Sequence, residues 1–311
     1  MSTVTDGSVA TAEHAWMPSS PCGARCLPAG DTEVSAPVAA GRWLLVGCAL
    51  AAAPLLTAGW FLPRSWRAVL QRRYAEVLLR CVGIHLDIRD RRGERRPTGG
   101  LLVVSSHVSW TDVLVLSALA PTEFVARADL LDWAVLGSLA RRMRVIPIDR
   151  SDLRALPGTV EATANRLRAG ARVAAFPEGT TWCGRASGGF RPALFQAAVD
   201  SECPVQPVTI RYVGRTGELT TSPCFVGVET IGPSIRRIIR QRGLVAQVDL
   251  RPIEHPGESR RDLTVRCERS VRGAETVDLA AGGIVGPGRY AALAIAADAA
   301  SSIEAGERLT A

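Results

Sequence analysis

The sequence predicts an α/β fold: a central, mostly parallel or mixed sheet flanked by helices and preceded by an N-terminal membrane-associated helix. Three observations carry this. Short apolar runs alternate with helical patterns from GIHLDIRD to LVAQVDLRPIE, which argues for a sheet with helices on its faces rather than a bundle or a sandwich. Of the 311 residues, 47 % are hydrophobic and 22 % charged, enough for a full core in one domain of about 200 to 250 residues with tails. The stretch WLLVGCALAAAPLLTAGWFL, Trp43 to Leu62, carries no charge for 20 residues, the length needed to cross a bilayer core.

Residues 1–40 are rich in Ala, Ser, Thr, Pro and Gly without an apolar period and are expected to form a flexible leader. Residues 41–80 make up the membrane-associated segment. Trp43 and Trp60 suit the two interfaces, while Pro54 near the middle leaves a re-entrant or interfacial helix pair open. Arg64, Arg67, Arg72, Arg73 and Arg80 follow the apolar stretch and only Arg25 and Arg42 precede it, so the positive-inside bias puts the following domain on the cytoplasmic side of the cell membrane. RSWRAVLQRRYAEVLLRCVG reads as a basic helix with Trp66, Val69, Leu70, Tyr74, Val77 and Leu78 on one face, turned to its own domain or to anionic lipid. The α/β domain, residues 81–272, has strands expected in GIHLDIRD, LLVVSS, EFVARA, RVIPID, RVAAFPEG, PVQPVTIRY and LVAQVDLRPIE. Its helices are expected from near Trp110 and over DLLDWAVLGSLARRM, ALPGTVEATANRLRAG and RPALFQAAVDS. Residues 273–311 read as an Ala- and Gly-rich low-complexity tail.

A net charge of +7 suits a membrane surface, an acidic substrate or a nucleic acid. With aromatics at 5 % and no finger, helix-turn-helix or stacking platform, nucleic acid is not expected as a partner. Every basic residue is Arg, a bias of coding composition, so an Arg by itself says little about a site. The eight Cys show one short spacing, PCGARC at Cys22 and Cys26, with no second pair to complete a zinc framework; reduced structural thiols and no metal are expected.

Two stretches carry chemistry. LLVVSS is a buried-type strand that delivers His107 at its C-terminal end, where α/β proteins place reactive groups, with Ser109 or Thr111 as caps of the next helix. Asp112 can accept from one nitrogen of His107, fix its tautomer and leave the other as a base for a hydroxyl. Alone, H-x-x-x-x-D arises by chance roughly one time in five in such a chain, so a capped turn is the competing explanation. RVAAFPEGTTWCG is a second strand running into a turn, with Pro177 and Gly179 shaping the backbone, Glu178 as the only acid and Thr180 and Thr181 supplying hydroxyls. His85 alternates with apolar neighbours on a strand, and His14 and His255 lie in loop-like contexts; none is assigned a role.

Taken together the stretches resemble the glycerophospholipid acyltransferase family, of 1-acyl-sn-glycerol-3-phosphate (lysophosphatidic acid) acyltransferase type. His107 and Asp112 match H-x-x-x-x-D; Phe176, Pro177, Glu178, Gly179 and Thr180 match F-P-E-G-T; EFVARADLLDWAVLGSLARRMRVIPIDR resembles the second block and CPVQPVTIRY the fourth. The resemblance spans about residues 65 to 270. It implies the glycerolipid acyltransferase fold over residues 81–272 and an O-acyltransferase that moves a fatty acyl group from acyl-CoA or acyl-ACP to the hydroxyl of a lysolipid. His107 would be the base, oriented by Asp112, with Arg127, Arg150, Phe176, Pro177, Glu178, Gly179, Thr180 and Thr181 around the substrate. No cofactor beyond the acyl co-substrate is implied, because a thioester is already activated. The absence of G-x-S-x-G disfavours a hydrolase of the nucleophile-elbow type.

Two departures bear on the acceptor. Arg127 stands where the family commonly has Lys, which keeps the charge. Thr181 stands where phosphate-using members commonly continue E-G-T-R, which removes a phosphate contact. The expected acceptor is 1-acylglycerol-3-phosphate, giving phosphatidic acid. Lyso-ornithine lipid or another lysolipid without a phosphomonoester is the alternative, and a non-catalytic membrane-surface lipid-binding protein the second alternative. GGFRPALFQAA, with Phe190 and Arg191, reads as scaffold.

Overall fold

A computed structural model describes residues 17–28, 33–58, 63–93, 97–132, 141, 143–227 and 229–273. Its strands are β1 (Ile84–Asp90), β2 (Leu101–Ser105), β3 (Glu123–Arg127), β4 (Ile146–Ile148), β5 (Arg172–Ala175), β6 (Val205–Val213) and β7 (Leu244–Leu250). They form one sheet in the order β1-β7-β6-β2-β5-β3-β4. Neighbours run parallel except β6 and β7, so the sheet is mixed, as the alternation predicts. All seven fall where the apolar runs place them.

The central strands are buried on both sides and therefore read as unbroken apolar runs. Leu101 and Val103 of β2 enter one core, Leu102 and Val104 the other. Burying each such side chain contributes about 1.5 to 3 kcal/mol. The helices are α1 (Ala36–Ala58), α2 (Arg64–Val82), α3 (Thr111–Leu119), α4 (Leu156–Arg168), α5 (Phe195–Ser201), α6 (Ile231–Arg240) and α7 (Arg260–Arg272). The first core is closed by α1, α2, α3 and α6, the second by α4, α5 and α7. Helices α6 and α7 are additions to the sequence-based expectation. The signal for α7 is Ser259 followed by Asp262: the Ser side chain accepts from the Asp262 backbone N–H at 3.3 Å, capping the helix. Of the helix expected over DLLDWAVLGSLARRM, the described part opens as a 3₁₀ turn, Ala128–Asp132, and residues 133–140 and 142 lie outside the described residues.

The N-terminal part differs from expectation in two ways. Helix α1 starts at Ala36, before Trp43, because Pro37 fits a first helical turn and Ser35 O accepts from the Ala39 N–H at 3.1 Å. The expected flexible leader is corrected over residues 17–28, which pack on the domain: Cys22 is buried in the first core, and Thr221 donates to Cys26 O at 2.7 Å. Residues 59–62, including Trp60, and the expected tail from 274 on lie outside the described residues.

In α1 one stripe, Ala39, Val46 and Ala49, is buried at helical spacing. Arg42 in that stripe donates to Ile239 O and Gln241 O, both at 2.7 Å, satisfying carbonyls at the end of α6. Gly83, at φ +90, ends α2 where a Cβ would strike the Arg42 guanidinium. Tyr74 of α2 donates to Ala49 O at 2.8 Å, tying the two helices together. The rest of α1 is apolar and outward: the window Ala36–Ala53 is long and apolar enough to cross a membrane, with only 11 % of it buried. Trp43, Leu44, Leu45 and Leu50 of α1 and Trp66 and Val69 of α2 are exposed.

Candidate active site

Strands β2, β5 and β6 lie side by side and parallel, so their C-terminal ends meet at one edge of the sheet. Val104 pairs with Ala175 and Ser105 with Val208. The turns after β2 and β5 therefore bring His107 against Phe176, and the two rings stack at 4.0 Å between centroids. Four residues along β6 from Val208 stands Tyr212.

Asp112, fully buried in the first turn of α3, gathers this edge. Its Oδ2 lies 2.9 Å from His107 Nδ1 and accepts the backbone N–H groups of Val108 at 2.8 Å and Ser109 at 2.9 Å. Its Oδ1 accepts from the Tyr212 hydroxyl at 2.7 Å. The His107–Asp112 pair and the turn cap are thus one arrangement: the same carboxylate that fixes the His107 ring also closes the loop that carries it. Ser109 does cap, accepting from Thr111 N–H at 3.2 Å. With Nδ1–H given to Asp112, the remaining ring nitrogen, Nε2, is left as the basic one on a side chain 18 % exposed.

Tyr212 completes the set and is not among the residues expected from sequence. Its hydroxyl sits between Asp112 and Thr111 Oγ1, the latter at 2.6 Å. Burial first, then the Asp112 charge, hold its pKa well above the usual phenol value, so it remains a neutral donor. A polar-tipped aromatic in a strand otherwise buried end to end was the available signal.

Glu178 faces inward, 3 % exposed. Its Oε2 accepts the backbone N–H of His107 at 2.9 Å, and its Oε1 lies 3.8 Å from Arg272 Nη2. Burial pushes its pKa up to about 8, against the lowering effects of the His107 N–H, Arg272 and the Gly188 N–H. Arg272, from the unexpected α7, also pairs with Glu268 at 2.5 Å, donates to Gly188 O and covers the Phe190 ring. Pro177 is buried as well, and the Thr181 hydroxyl is used on Phe225 O. Glu178 and Thr181 thus tie the turn to neighbouring loops, with Pro177 buried between β5 and Glu178. Phe176 stacks on the ring of His107, and the Trp182 backbone N–H donates to His107 O at 2.8 Å. Gly179, at φ +76, turns the chain past Pro18 of the leader, and Thr180 beside it is half-buried.

Arg150 lies near enough to Arg127 and Arg191 for their charges to act on it. Arg150 is half-buried and its pKa falls to about 10, through burial first and then the neighbouring Arg127, with Arg191 adding to it and Asp129 opposing. Arg127 is held by Asp129 at 2.6 and 2.9 Å. The Arg191 backbone donates to Pro177 O at 3.0 Å, and its Cδ lies 3.9 Å from where a Cβ on Gly179 would stand. The excess of guanidinium charge beside the FPEGT turn is suited to an anionic group.

Known proteins share this arrangement of blocks. The family model described as acyltransferase matches residues 87–211, from β1 through most of β6. The 1-acyl-sn-glycerol-3-phosphate acyltransferase of Neisseria gonorrhoeae is 33 % identical over 203 residues, covering 63 % of this chain and 78 % of that protein. The chain belongs to the acyltransferase family. It is an O-acyltransferase. A lyso-ornithine lipid O-acyltransferase of Rhizobium meliloti is 34 % identical over 202 residues, 60 % of this chain and 66 % of that protein. Among solved structures, the 1-acyl-sn-glycerophosphate (LPA) acyltransferase PlsC of Thermotoga maritima shares the fold, with a TM-score of 0.59 at 15 % identity over 76 % of this chain and 92 % of that one.

Proposed function

We propose that this acyltransferase moves a fatty acyl group from acyl-CoA or acyl-ACP to the free hydroxyl of 1-acylglycerol-3-phosphate, with His107 as general base. The observation that supports the mechanism is the His107–Asp112–Tyr212 chain, which leaves one imidazole nitrogen of a partly exposed side chain to serve as the base. Nε2 takes the proton as the acceptor oxygen attacks the thioester carbonyl. The new C–O ester bond forms, the C–S bond breaks, and the proton passes to the departing thiolate. A thioester needs no metal or further cofactor for this, only a positioned hydroxyl and a base. Arg150, Arg127 and Arg191 supply charge for the acceptor's phosphate, offsetting the Thr181 departure.

The outward apolar residues of α1 and α2 support seating in the cell membrane, and the Arg residues of α2 support a cytoplasmic catalytic domain that lysolipid would reach from the bilayer. Lyso-ornithine lipid is the second acceptor to test, because the Thr181 hydroxyl is committed to Phe225 and offers no cation. A panel of 1-acylglycerol-3-phosphate and lyso-ornithine lipid, each with labelled acyl-CoA and acyl-ACP, separates these. Phosphatidic acid as the main product supports the first; acylation of lyso-ornithine lipid alone replaces it.

A further inference from the structure

Cys22, Cys26 and Cys183 come from distant parts of the chain, yet their three sulfurs all lie within 4.8 Å of one another. Cys22 and Cys183 are buried, Cys26 is half-buried, and each carries a free thiol. Cys22 and Cys26 flank the turn that contains the 3₁₀ segment Ala24–Cys26. Cys183 follows the FPEGTTW stretch on a loop that turns at Gly184, φ +81. The Cys183 backbone N–H donates to Cys22 Sγ at 3.4 Å, and the N–H groups of Arg185 and Ala186 are directed at Cys183 Sγ. Cys224 is buried beside the group.

We propose that Cys22, Cys26 and Cys183 bind a divalent zinc-class cation that clamps residues 17–28 onto the loop following Glu178. A tetrahedral zinc with Zn–S bonds of about 2.3 Å places its sulfurs about 3.8 Å apart, within the observed spread. Each thiol releases its proton to solvent as its metal–sulfur bond forms, and the fourth position takes water or Cys224. A disulfide would use two of the three sulfurs and leave the third stranded in contact with them, and the cytoplasmic side is reducing. Sequence spacing hides the site, because PCGARC has no partner pair nearby and its third sulfur stands 161 residues after Cys22 in the chain.

The clamp bears on the active site without touching the reaction. Trp182, the neighbour of Cys183, holds the His107 carbonyl, and Pro18 lies so close to Gly179 that a Cβ there would stand 2.7 Å from it. Fixing Cys183 to the leader fixes both contacts. The site does not depend on which lysolipid is acylated.

The test is metal content of the full-length, untagged chain purified in detergent without chelators. Zinc is measured by plasma mass spectrometry and by release on titration with a mercurial, then by rebinding of Zn²⁺ or Co²⁺ alone to the stripped protein. The wild type is expected to hold about one zinc per chain. Cys26→Ser and Cys183→Ser should each lose at least about 100-fold in zinc affinity, while Cys48→Ser, exposed on α1, keeps it. If Cys183→Ser does not fold, the half-buried Cys26 supplies the variant that decides. Stripping the metal should speed amide exchange over residues 17–28. Failure of the wild type to bind either metal, zinc retained by Cys26→Ser, or a disulfide among these three in the non-reduced protein would overturn the proposal.

Discussion

At the residue scale, Asp112 works as the hub of the site. It receives the imidazole, two backbone N–H groups and a phenol, so replacing it removes orientation from His107 and support from its loop together. Asp112→Asn should lower kcat on the order of 10²-fold or more, since the amide offers Nδ1 a donor or a weaker acceptor and favours the wrong tautomer. Tyr212→Phe leaves one buried carboxylate oxygen without its donor; a loss of about 1 to 3 kcal/mol in denaturant titrations is expected, with a smaller drop in rate. Glu178 gives a pH signature. Its pKa is raised from 4.5 unfolded to about 8 folded, so the stability its neutral form contributes is complete below the unfolded value and is lost as pH rises through the folded one. The denaturation midpoint of wild type should fall across that window, and Glu178→Gln, always neutral, should flatten the fall. Equal slopes in the two proteins would show that Glu178 is ionised in the fold.

At the scale of elements, the turn after β5 makes a specific demand on the backbone. Gly179→Ala puts a side chain at φ +76 and drives its Cβ into Pro18, costing about 1 to 2 kcal/mol for the left-handed conformation alone. Thermal melting checks this, and an unchanged midpoint would mean that the leader moves aside freely. The strands were legible because β2, β5 and β6 are largely buried and rich in apolar and β-branched residues, β2 as a nearly continuous apolar run, and the H-x-x-x-x-D and F-P-E-G-T stretches follow β2 and β5 at one sheet edge. Three parts were not legible. Helix α7 is strongly charged, and only its Ser259 cap announces it, so Arg272 behind Glu178 goes unseen. Glu178 and Thr181 look like ligand groups in a motif, but their partners, the His107 N–H and Phe225 O, belong to other loops. The leader's composition suggests disorder, yet Cys22 is buried by contacts with distant segments that no local pattern encodes.

For the whole molecule, the α1–α2 pair is the part that, on the proposed reading, would meet a membrane. Its inner stripe is docked through Arg42 and Tyr74, while its outer surface carries Leu44, Leu45 and Trp66. Replacing Leu44 and Leu45 by Glu should therefore reduce flotation with anionic vesicles and raise KM for lysolipid presented in them, leaving kcat on detergent-dispersed lysolipid nearly unchanged. The central claim, that His107 at the end of β2 is the base for acyl transfer to a lysolipid, is tested most directly by comparing His107→Ala with wild type in acyl transfer from a labelled thioester. The predicted result is a fall of about 10³-fold or more with an unchanged circular dichroism spectrum and melting profile. Turnover within a few-fold of wild type by the folded variant would contradict it.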